Sequence, residues 1–276
     1  MSIERITVFC FAASYTLALA AELINQARPG RVPRTVALGL GVAGLFAQTL
    51  FLAVQRLPLS SRQGSLLFLA WIVAVFYLYG TLHHRRIAWG LFVLPLVLGL
   101  IALAELFPDT SVGEESFWLF RLFRLHGERF WGSVHGTLLL LAAVGVCVGF
   151  LASVMYLVQA RRLRTKTLPG QGLRMLSLER LEDMNRRSIV LAFPLLTAGV
   201  LVGMALMLEG DKPLGGWADP RVLTACALWA VFAILLYLRY SLHVRGRRVA
   251  LLTIAAFVLL LVTLAVPHTL SAGGGP

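Results

Sequence analysis

Trp131–Arg164 reads WGSVHGTLLLLAAVGVCVGFLASVMYLVQARRLR, and this stretch decides the fold. It opens with Trp131 and His135, carries no charge from Gly136 to Ala160, and closes on Arg161, Arg162 and Arg164. A helix rises about 1.5 Å per residue and a hydrocarbon core is about 30 Å thick, so a run of this length crosses a bilayer. Trp131 suits an interfacial anchor, and the arginines suit the cytoplasmic end. His135 then lies about one turn inside the opposite edge. An ionisable group is expensive in a spanning helix, so His135 is read as the centre of the chemistry.

Composition extends this reading to the whole chain. Of 276 residues, 58% are hydrophobic and 14% charged, with a mean hydropathy of +0.81. A soluble domain of this size could not hide so much apolar surface. The expected class is all-α, a polytopic membrane protein. The net charge of +12 does not imply nucleic acid, because the basic residues sit in short loops between apolar runs. Cys10, Cys147 and Cys226 lie inside apolar runs without a CxxC pair, which reads as small core residues rather than thiol–disulfide chemistry.

Eight runs follow: 6–24, 35–54, 65–82, 88–107, 131–160, 189–208, 222–240 and 249–266. The first has an Ala18-Leu19-Ala20 that imitates a signal-peptidase site, but Glu4 and Arg5 cancel before it, so it is read as a retained span. Eight spans place both termini on one side. The connections after the first, third, fifth and seventh spans hold 17 of the 25 Lys and Arg, Arg239 included. That side is expected to be cytoplasmic, with both termini outside. His135 then lies near the outer face, as does His268 just beyond the last run.

Two connections are long. Pro108 to Phe130 is external on this topology and interleaves Phe117, Trp118, Phe120 and Phe123 with Arg121, Arg124 and Arg129. It reads either as a basic, apolar lip over an external site or as an interfacial helix with aromatics at headgroup level. Residues 161–187 form a cytoplasmic loop. Its SLERLEDMNRR segment, with acid-before-base pairs Glu182–Arg186 and Asp183–Arg187, predicts a short amphipathic surface helix.

No Walker loop, GxSxG or HExxH is present, and the carboxylates mostly lie in loops. The histidines remain. Imidazole is the commonest protein ligand to metals, haem iron included. A lone intramembrane histidine can equally be a helix–helix hydrogen-bonding group. Two at one depth, His135 and His268, favour ligation of one haem. An apolar macrocycle suits bilayer depth, and Arg121, Arg124 and Arg129 suit its propionates, with Trp131 at the lip. His83 and His84 adjoin Arg85 and Arg86 at the opposite edge and read as a solvated boundary or, as second choice, an inner haem position.

These residues resemble a family. Trp131-x-x-x-His135 opening a span is similar to the cytochrome c assembly (CcsA-like) integral membrane proteins. So are Trp217-x-Asp219-Pro220-Arg221, Trp229, and the basic Arg245-Gly246-Arg247-Arg248 before the last span. Phe193-Pro194-Leu195-Leu196-Thr197 with Gly199 and Gly203 resembles the family's GFPLLTxGxxxG. The resemblance covers roughly residues 60 to 270. It implies binding of b-type haem through histidines and presentation to apocytochrome c in the inner (cytoplasmic) membrane, by a protein that is not itself an enzyme. The external tryptophan-rich WWD motif is missing, SAGGGP replaces the C-terminal G-L-H-S, and Tyr237 stands where the family has a histidine. Length and the missing motif are closer to the HemX-like branch, linked to haem metabolism and its regulation. The expected partners are membrane lipid, haem and other assembly components. Two alternatives remain: a membrane regulator of haem-biosynthesis enzymes acting through residues 161–187, and a small-molecule permease.

Overall fold

The computed structural model describes residues 8–28, 30–55, 61–83, 88–107, 128–165, 175–209, 220–241 and 246–265, without the side chains of 128, 129, 209 and 221. Among the described residues every regular element is an α-helix. They are α1 (Val8–Ala27), α2 (Arg31–Gln55), α3 (Arg62–His83), α4 (Gly90–Glu105), α5 (Glu128–Arg164), α6 (Leu178–Glu209), α7 (Pro220–Tyr240) and α8 (Arg247–Ala265). Helices dominate because a bilayer offers no partner to backbone N–H and C=O groups.

Seven of the eight are long and apolar enough to cross a membrane. The expectation of eight such spans falls short at α4, which has 16 residues and so extends about 24 Å. Leu106 closes it with its N–H on Ala102 O and Leu103 O, both at 3.2 Å. The 37 residues of α5 extend about 55 Å, well beyond the apolar core.

The short amphipathic helix expected within 161–187 falls on residues that are helical and run on into the next apolar segment. Leu178–Arg187 is the opening of the 32-residue α6. No glycine or proline interrupts residues 178–193. Leu181, Asn185 and Ser188 form a buried face there, so packing continues the helix inward from the apolar run. On the opposite face Asp183 pairs with Arg186 at 2.7 Å and Arg187 at 2.8 Å. The cysteine reading holds for buried Cys147; Cys10 and Cys226 are exposed.

The chain divides into two units. The first contains α1–α4 and the end of α5 from Val158. Its core joins Phe11 to Phe51, ring centroids 5.4 Å apart. Tyr15 OH donates to Gln48 Oε1 at 2.8 Å, and Gln48 Nε2 donates to Leu67 O at 3.1 Å, tying α1, α2 and α3 inside the apolar region. The second unit contains α5 up to Leu157 with α6, α7 and α8. There Phe150 of α5 stacks on Phe257 of α8 at 4.0 Å.

Candidate functional site

Helices α5 and α6 run antiparallel along one seam. At one end His135 faces Gly199 and Gly203, and Leu139 faces Gly199. Midway, Gly145 faces Ala192 and Gly149 faces Ser188. At the other end Ser153 meets Asn185. Each helix supplies the small residues where the other supplies the side chains, which brings backbones close in a membrane where apolar burial offers little drive.

His135 is half-buried and its Nδ1 lies 2.7 Å from Gly199 O. A carbonyl carries no proton, so Nδ1–H is the donor. In the neutral ring Nε2 then keeps the lone pair, and it has no hydrogen-bond partner among the described residues. Metal-binding histidines commonly use this arrangement: the second nitrogen is fixed by a backbone carbonyl, which sets tautomer and ring orientation. Gly203 makes the position possible. A Cβ there would stand 2.6 Å from the ring's Cε1.

No group of three or more His, Cys, Asp or Glu able to hold a metal ion occurs among the described residues. One imidazole is a poor site for a bare ion, but it suits an iron already held by a macrocycle. Trp131 lies one turn before His135, half-exposed and edge-on to Phe130 at 5.5 Å.

The far end of the seam holds a polar junction that the sequence reading missed. Asn185 Nδ2 donates to Ser153 Oγ at 2.8 Å, Thr253 Oγ1 at 3.2 Å and Gly149 O at 3.2 Å. Its Oδ1 accepts from Arg239 at 3.4 Å, and Arg239 also donates to Glu182 O at 3.0 Å. Four helices meet on one amide. The cleft beside it, lined by Tyr156, Glu182, Arg239 and Gly246, has room for about one water and none for a macrocycle. The signal was the spacing Leu181, Asn185, Ser188, Ala192 on one helical face; the surrounding charges concealed it.

Two pieces of the family pattern meet in space. Trp229 Nε1 donates to Thr197 Oγ1 at 2.9 Å and its ring lies 5.7 Å from that of Phe193. Pro220 and Arg247 begin α7 and α8. His83 ends α3 in the first unit, exposed, stacked on Tyr79 at 4.1 Å with Nδ1 3.2 Å from Tyr79 O. His84, His268, Arg121, Arg124, Trp217, Asp219 and the side chain of Arg129 lie outside the described residues.

Long apolar helices, seven of them able to cross a bilayer by length and composition, define a polytopic membrane protein. The chain belongs to the family described as Cytochrome C assembly protein, which matches residues 59–270. Among its relatives is the cytochrome c biogenesis protein CcsA of Synechococcus sp. (strain JA-3-3Ab), 28% identical with 79% of each chain covered. The protein of the same name from Gloeobacter violaceus is 23% identical over 84% of each chain. That from Guillardia theta is 26% identical, covering 73% of this chain and 70% of the relative. No solved structure matches the chain.

Proposed function

We propose that this protein handles haem in cytochrome c assembly, holding a b-type haem through His135 Nε2 near the outer face of the inner (cytoplasmic) membrane. The observation that carries the reading is the bond from Nδ1–H to Gly199 O at 2.7 Å, which leaves the Nε2 lone pair of the neutral ring available to a ligand. Family membership and the relatives' name, cytochrome c biogenesis protein, support the process. His268 would be a second histidine holding the haem, Arg121, Arg124 and Arg129 would meet its propionates, and Trp131 would form the lip. Bound there, haem supplies the group delivered to the cytochrome. The chain's own part is to orient one nitrogen and keep the iron at bilayer depth. The missing WWD motif supports a holding and positioning role like that of the HemX-like branch. Other assembly components are its expected partners.

The test is the absorbance of the full-length protein purified in detergent. A Soret band with near-stoichiometric haem is expected. Full-length folded protein that stays colourless after haem is added would remove the reading.

A further inference from the structure

Glu22 is the one buried carboxylic acid among the described residues, with 8% of its surface exposed. It lies on the α1 face that also carries Phe11, Tyr15 and Ala18, so it points into the first unit. An acid inside a spanning helix is costly and marks function by default.

Each neighbouring helix presents something to it. From α3, Tyr77 OH donates to Oε1 at 3.4 Å. From α2, Arg34 acts on it electrostatically while donating to Thr81 O at 3.1 Å. From α4, the backbone of Gly90 approaches so closely that a Cβ there would lie 2.8 Å from Oε1. Gly90 is the first residue of α4, and the N-cap residue Trp89 gives no side-chain cap. The first turn of α4, which carries the positive end of its dipole, therefore lies beside this carboxyl. The indole of Trp89 fills the space over Gly80, so it sits at the same joint.

The ionised form is incompletely compensated. Its one hydrogen bond is long, and no ion pair of Glu22 occurs among the described residues. The neutral form avoids the desolvation cost of a charge but gives up the attraction of the α4 terminus. Neither protonation state is fully compensated by the groups around it. A metal cation is disfavoured by the tight backbone approach and by Arg34.

We propose that Glu22 is a proton-binding site, and that its loss of a proton draws the Gly90 end of α4 onto α1. In the step, a carboxylate oxygen gains or loses one proton exchanged with water, and no other bond changes. The inference is independent of the haem reading.

The experiment uses the full-length protein in detergent across a pH series. The first readout is the infrared carbonyl band of a protonated carboxyl, compared between wild type and Glu22→Gln. The second is Trp89 fluorescence in a variant whose other five tryptophans are phenylalanine. Expected is a one-proton transition spanning about two pH units in both readouts. Glu22→Gln abolishes it in folded protein, and Tyr77→Phe displaces it. If the tryptophan variant does not fold, the infrared comparison decides alone. A transition unchanged in Glu22→Gln, or a response that follows sodium at fixed pH, overturns the proposal.

Discussion

Gly203 lies flat against His135: a Cβ on Gly203 would stand 2.6 Å from ring Cε1 and 2.9 Å from Nδ1. One turn earlier on α6, Gly199 supplies the carbonyl that binds that same nitrogen. One residue makes room for the ring and the other sets its tautomer.

Gly203→Ala should therefore push the ring off α6 and break the Nδ1 bond. Overpacking of this kind costs about 1–3 kcal/mol. Gly145→Ala is the control, because its Cβ would meet Ala192 Cβ at 2.8 Å, far along the seam. Both variants should lose similar stability on denaturant unfolding, but only Gly203→Ala should lose most of its haem. Equal haem loss in the two would mean that the seam, and not the ring, governs binding.

Asn185→Ala should loosen α5, α6, α7 and α8 together. A single hydrogen bond between membrane helices is worth about 0.6 kcal/mol on average. Asn185 makes several, to Gly149, Ser153, Thr253 and Arg239, so about 1–3 kcal/mol is expected. Denaturant unfolding in mixed micelles measures it. A loss no larger than that of an exposed substitution such as Leu191→Ala would show that the junction does not hold the helices.

The spans were legible because hydropathy over some twenty residues needs no tertiary information. His135 stood out because nothing else ionisable lies near it in its run. Asn185 and Glu22 did not, for one shared reason. Each lies at the end of an apolar run, beside charges or polar residues, where a polar side chain reads as solvated. Their burial depends on which helical face the neighbours cover. The spacing was present, with Glu22 in register with Phe11, Tyr15 and Ala18, but apolar periodicity does not score a polar residue on the covered face. The continuity of α6 through Leu178–Arg187 was hidden likewise, since charges on one face masked the packed residues on the other.

Topology fixes which face His135 serves. Reporter fusions after residues 30, 87, 165 and 245 should report the cytoplasm, and a fusion near residue 115 should report the outside. An external signal at residue 165 would put His135 at the inner face and reverse the assignment.

The most direct measurement is haem content per protein, with the reduced absorbance spectrum, of wild type, His135→Ala and His268→Ala purified in detergent and checked for folding. His135→Ala should retain little or no haem, while His268→Ala should keep a weakly held haem whose spectrum added imidazole restores. Full haem with an unchanged spectrum in His135→Ala would contradict the account, making His135 a packing residue against Gly203 and turning attention to His83 and His84.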